Sequence, residues 1–142
     1  MEPKIHNFPP RLRGNEQDWT KLTLAILTHL ELKPVSLNVV FTDDQTLKQM
    51  HTRYLNDPSE TDVITFDLGE ESAIEGEIYI SIERAEDQAR TYGVTLDEEV
   101  LRLIIHGLLH LQGYDDLQEE TRKIMKEQED SLVAYFKGKL RF

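Results

Sequence analysis

Apolar residues recur along the chain at two different periods, and the switches between them mark its elements. Residues 15–31 place Trp19, Leu22, Ile26, Leu27 and Leu30 three or four apart, the spacing of one helix face. Residues 36–42 instead alternate, with Leu37, Val39 and Phe41 set against Asn38 and Val40, which predicts a strand. A short first strand over 3–8 precedes them and ends at Pro9 and Pro10. Thr42 and Gln45 have capping-box spacing, so a helix starts near Asp43, with Leu47, Met50 and Tyr54 as its apolar face. Residues 55–60 read as a loop.

The β-branched runs 61–68 and 76–82 read as two further strands. The connection between them carries Gly69 and Gly76 and is too short for a helix, which requires an antiparallel hairpin. Ser81 caps a helix that runs to Tyr92 and stops at Gly93. Thr95 and Glu98 form a second capping box, opening a helix over 96–112 that Gly113 stops. A last helix covers 117–136 and turns Leu117, Ile124, Met125, Leu132 and Tyr135 inward. The order β-α-β-α-β-β-α-α-α predicts an α+β fold. Its first two strand–helix–strand units favour parallel pairing and its final hairpin adds an antiparallel strand, giving a mixed four-stranded sheet with helices packed on it. The 142 residues suit one domain spanning 1–142, long enough to bury roughly two thirds of its unfolded surface.

Composition narrows the chemistry. There is no cysteine, so disulfides, thiolate catalysis and cysteine-ligated zinc or iron–sulfur sites are excluded, and any metal falls to His, Asp or Glu. No basic segment followed by an apolar run opens the chain, and no apolar stretch approaches the ~18 residues of a membrane span. These features predict a soluble, cytoplasmic protein with no membrane partner. The net charge of −11 argues against a nucleic-acid partner, although a basic cleft can sit on an acidic body. The visible basic clusters are Arg11 and Arg13 near the start and Lys137, Lys139 and Arg141 at the end.

The stretch HGLLHLQGYDD at 106–116 carries the chemistry. A helix advances about 100° per residue, so Leu101, Ile104, Ile105, Leu108 and Leu111 share one side and His106 and His110 lie nearly opposite. One turn apart on a common face, two imidazoles converge on a single ion. A catalytic zinc takes a third protein ligand, and Gly113 can fold the chain back to offer Asp115 or Asp116. The plainer reading makes Gly113 an ordinary helix stop and the aspartates the acidic start of the next helix. The two readings are compatible, and a bare His-x-x-x-His pair does not separate them.

The stretch closely resembles the YbeY-type bacterial endoribonucleases, also called ribosomal RNA maturation factors, whose pattern is H-G-x-L-H-L-x-G-Y-D-H. His106, Gly107, Leu109, His110, Leu111, Gly113, Tyr114 and Asp115 match it. TDVITF at 61–66 resembles the family's T-D-V-L-S-F, and GEIYIS at 76–81 its G-D-I-x-I-S. The resemblance implies an enzyme that binds one zinc ion per chain and cleaves single-stranded RNA. It further implies work in maturation of small-subunit ribosomal RNA near its 3′ end, in ribosome quality control, and with small-subunit ribosomal proteins and an assembly GTPase. The family's third ligand is a histidine, where this chain has Asp116. The expected metal ligands are therefore His106, His110 and Asp116, with Asp115 as the fallback and a catalytic candidate. The family also carries an arginine before the TDVITF strand. That position falls on Leu55, so Arg53 is the expected substitute, with Lys48 as a further phosphate contact and Asp62 and His51 as further general-base candidates. The competing reading of Arg53 is a cation favoured at a helix end, and that of His51 an exposed helix face.

Two other functions compete. A zinc peptidase carries Glu immediately after the first histidine, and here that residue is Gly107. A non-catalytic ribosome-assembly factor with a structural metal fits the acidic surface and the leucine at 55.

Overall fold

The computed structural model describes residues 1–57, 61–71 and 73–142. Strand β1 (Lys4–His6) leads through α1 (Glu16–Leu30) to β2 (Ser36–Thr42), and α2 (Asp44–Leu55) leads to β3 (Val63–Asp67) and β4 (Glu75–Ser81). Helices α3 (Ile82–Tyr92), α4 (Leu96–Gln112) and α5 (Glu119–Phe136) follow, and a 3-10 turn at Lys137–Lys139 closes the chain. This is the α+β fold that the chain order predicts.

The sheet order is β1-β2-β4-β3, with β1, β2 and β4 parallel and β3 antiparallel to β4. The hairpin is therefore as expected, but the reversed strand is β3, at the sheet edge, and β4 slots beside β2. Burial accounts for this arrangement. Ile78 and Ile80 of β4 are fully buried and need neighbours on both sides, whereas β3 buries only Ile64 outright. Gly76 lies inside β4, where a Cβ would come within 2.6 Å of Leu111.

Local signals set most helix ends. Asn15 caps α1 in a capping box with Asp18, Ser81 caps α3, and Thr95 Oγ1 accepts from the Glu98 amide at 3.1 Å at the start of α4. Helix α2 is capped by Asp43 rather than Thr42, the Asp43 carboxylate accepting from the Thr46 amide at 2.6 Å. Leu55, expected in a loop, is the last residue of α2, and Asn56 closes it with φ +54. The rest of that loop, 58–60, lies outside the described residues.

The core lies where the alternating face of β2 and β4 meets α1, α4 and α5. Helix α4 sits directly on β4, because a Cβ at Gly107 would come within 2.7 Å of Ile78. The histidine-bearing side of α4 is covered as well, with Leu103 and Glu99 buried beneath α5. Helix α5 differs from its expected phase. Met125 and Leu132 face inward, but Leu117 is 83% exposed and Ile124 and Tyr135 are also exposed. The buried positions are Met125, Glu129, Leu132, Val133 and Phe136, an i, i+4, i+7, i+8, i+11 stripe that places an acid in the core. On α2, Leu47 is buried, Met50 half-buried, and Tyr54 exposed with its ring edge against Phe66.

Candidate metal centre

The stop of α4 brings the motif together. Gly113 takes φ +113, and the Tyr114 amide returns to the Leu109 carbonyl at 3.0 Å, a 6→1 closure that folds the chain back under the helix end. Two consequences follow. The Tyr114 carbonyl reaches His110 Nδ1 at 3.1 Å, and Asp116 swings over the histidines. Its Oδ2 lies 3.9 Å from His106 Nε2 and 3.8 Å from His110 Nε2, and the two Nε2 atoms are 3.1 Å apart. A tetrahedral ion with bonds of about 2.0–2.1 Å holds its donors about 3.3 Å apart, so these three atoms have the spacing of ligands to one ion.

The hydrogen-bond partners support a cation between them. His106 Nδ1 donates to Glu129 Oε1 at 2.6 Å, and His110 Nδ1 donates to the Tyr114 carbonyl. With both protons on Nδ1, both Nε2 lone pairs point at the same space, an arrangement that needs a positive charge. The alternative is a proton on one ring. Burial opposes charge on His106, but the Glu129 carboxylate, with Asp62 and Asp116 adding, outweighs it and raises its pKa. Burial and the neighbouring His106 lower that of His110. The donor set of two imidazoles and one carboxylate is one that zinc accepts, and His106, His110 and Asp116 form a group of metal-binding size.

Behind His106 lies a charge network that the sequence did not reveal. Glu129 also accepts from Arg102 at 3.0 Å and from Lys126 at 3.3 Å, and Arg102 reaches Asp130 at 2.6 Å. Beyond Arg102, at 4.0 Å, is Glu99 Oε1, buried without a hydrogen-bond partner. Burial is the main cause that pushes its carboxyl up to about 7. An acid within the apolar stripe of α5 was the available signal for Glu129. Glu99 sits in the first turn of α4, where the helix dipole already explains an acid.

Two cavities of about 480 Å³ each meet at His106 and Asp116. One runs along β3 and the end of α2, past His51, Leu55, Asp62 and Thr65. The other runs between α3, α4 and α5, past Gln88, Arg102, Arg122 and Lys126. Asp62, His106 and Asp116 line both. His51, expected on an exposed face, keeps only 14% of its side chain exposed and forms part of the cleft wall. Asp62 also faces the cleft, its carboxylate accepting from Gln88 at 3.1 Å.

Two expected residues are placed elsewhere. Asp115 spends its carboxylate on the Thr121 side chain and on the Leu117 amide, which hold its pKa below the usual carboxylate range, so it shapes the turn. Arg53 lines a separate groove with Lys48, Asp43, Asp44 and Glu83, its guanidinium 5.5 Å from the Tyr54 ring centre. Helix geometry explains this, since residues 53 and 55 point about 200° apart around α2 and only Leu55 turns to the cleft. Gly107 points at the sheet, where Ile78 leaves no room for the side chain that a peptidase's glutamate would need.

The model of the family described as Endoribonuclease YbeY matches residues 7–137. A relative named Endoribonuclease YbeY in Flavobacterium johnsoniae is 36% identical, over 86% of this chain and 88% of its own. One from Karelsulcia muelleri with the same name is 41% identical over 97% of this chain and 94% of its own. A solution structure from Thermotoga maritima superposes with a TM-score of 0.68 at 29% identity, covering 97% of this chain and 91% of that one.

Proposed function

The chain belongs to the YbeY endoribonuclease family, and on that premise we propose that it is a zinc-dependent endoribonuclease cleaving single-stranded RNA. Its setting is maturation of small-subunit ribosomal RNA near the 3′ end, together with ribosome quality control. The observation that carries this reading is the convergence of His106 Nε2, His110 Nε2 and Asp116 Oδ2 at the meeting point of two open cavities. The proposed ligands are those three atoms, with one ion per chain.

When bound, zinc supplies Lewis-acid polarisation of a phosphoryl oxygen and lowers the pKa of a water. The chain's own residues do the rest. Glu129 holds the proton of His106 on Nδ1, and the Tyr114 carbonyl does the same for His110, so both Nε2 atoms stay available. Asp62, oriented by Gln88, is the proton acceptor nearest in role to a general base, and His51 is a second proton carrier in the same wall. RNA carries its own 2′-OH, so the acceptor serves either that hydroxyl or a water. The partners in this setting are ribosomal RNA, small-subunit ribosomal proteins and an assembly GTPase. A net charge of −11 suits docking to basic ribosomal proteins.

The test is turnover. Metal-loaded protein at far below the RNA concentration is expected to cleave a single-stranded oligoribonucleotide many times. Cleavage should be lost on chelation and in His110→Ala while the chain stays folded by circular dichroism. Co-sedimentation with small subunits and no metal-dependent cleavage would instead make this a non-catalytic assembly factor with a structural metal.

A further inference from the structure

We propose that Arg122 is the substrate-phosphate contact of this cleft, an inference that rests on reading the cleft as an RNA-cleaving site. The cavity along β3 has no lysine or arginine among its lining residues. The cavity between α3, α4 and α5 has Arg102, Arg122 and Lys126. Two of these are already neutralised, Arg102 by Glu129 and Asp130 and Lys126 by the same two carboxylates. Arg122 differs from both. It is exposed, and its hydrogen bond runs from Nε to the backbone carbonyl of Asp116 at 3.4 Å. Among the described residues it makes no ion pair with a carboxylate.

That single bond has two effects. It ties the guanidinium to the backbone of Asp116, whose side chain offers the third ligand atom, so a group held by Arg122 would lie in the cavity that His106 and Asp116 also line. It also occupies Nε alone and leaves the two terminal nitrogens of this cavity-lining residue available for two oxygens of a phosphate. The cleft is otherwise rich in acids, namely Asp62, Glu99, Asp116 and Glu129. Glu129 is balanced by Arg102 and Lys126, but Asp62 and Asp116 remain to repel a phosphodiester, and among the described lining residues Arg122 is the cation without a carboxylate partner. The assigned ligand is therefore a backbone phosphate of single-stranded RNA at or next to the bond being cleaved.

The experiment compares metal-loaded wild type, Arg122→Gln, Arg122→Lys, Arg53→Gln and His110→Ala. Binding of a 2′-O-methyl oligoribonucleotide is followed by fluorescence anisotropy across a salt series, cleavage of the unmodified RNA is timed, and metal content is measured. Arg122→Gln is expected to retain metal and to lose roughly 10- to 100-fold in kcat/KM, the scale of a charge-assisted hydrogen bond. Its slope of log affinity against log salt should be shallower by about one. Arg122→Lys should fall between, keeping charge without the fork, and Arg53→Gln should match wild type. Wild-type binding and cleavage in Arg122→Gln would overturn the inference, as would loss of its metal, which would make Arg122 a prop for the Asp116 turn. Wild-type cleavage indifferent to chelation and to His110→Ala would sink the reading of the site, while the binding series would still decide whether Arg122 holds phosphate.

Discussion

Glu99→Gln isolates the cost of the buried acid behind the metal centre. Glu99 is 1% exposed, one of its oxygens has no hydrogen-bond partner, and its nearest cation, Arg102 Nε, is 4.0 Å away. Its pKa in the fold, about 7 against an ordinary 4.5, is pushed up first by burial, which the Arg102 charge only partly offsets. The folded chain therefore holds a proton that the unfolded chain has released between those values. The stability contributed by that proton is present at acid pH and lost as pH rises through about 7. Each pH unit of displacement is worth about 1.4 kcal/mol, so the penalty approaches about 3 kcal/mol at pH 8 and about 1 kcal/mol at pH 5. Glutamine keeps the shape and never ionises. Urea unfolding of wild type and Glu99→Gln should show the variant more stable at pH 8, with an advantage about 2 kcal/mol smaller at pH 5. An equal difference at both pH values, or a variant weaker at pH 8, would mean that burial does not hold a proton on Glu99.

Glu129→Gln should weaken metal binding about 10- to 100-fold, because the His106 Nδ1 proton loses its charged acceptor. Competition with a chromophoric chelator measures this, and unchanged affinity would remove Glu129 from the site's support. Gly107→Ala should destabilise the fold by about 1–3 kcal/mol, since the new methyl meets Ile78 carbons at 2.7–3.0 Å. Adding Ile78→Ala should make the two changes non-additive in denaturant unfolding, and strict additivity would mean that helix and sheet do not touch there.

Much of the fold was legible because its signals are local. Capping residues and positive-φ glycines set α3 and α4 at the expected residues, and the short connection required the hairpin. What was not legible depends on tertiary contacts. No chain-local feature says that β4 pairs with β2, because that choice is made by the burial of Ile78 and Ile80. The phase of α5 departs from its apolar pattern because Ile124 and Tyr135 are apolar yet exposed, while the acid Glu129 is buried beside an imidazole. The same contrast holds at the site. His106, His110 and Asp116 come from one stretch, and a helix with its stop is enough to bring them together. The cleft walls come from three distant segments, so His51, Asp62 and Arg122 acquire their position only in the fold, and Arg53, close in sequence to Leu55, turns away from it.

The most direct test is elemental analysis of metal per chain in untagged protein purified without added metal, with His110→Ala and Asp116→Ala alongside. A metal centre on His106, His110 and Asp116 predicts near one zinc per wild-type chain and its loss in both variants. Wild type that holds no metal even after zinc is added back would contradict it, as would Asp116→Ala that keeps a full complement.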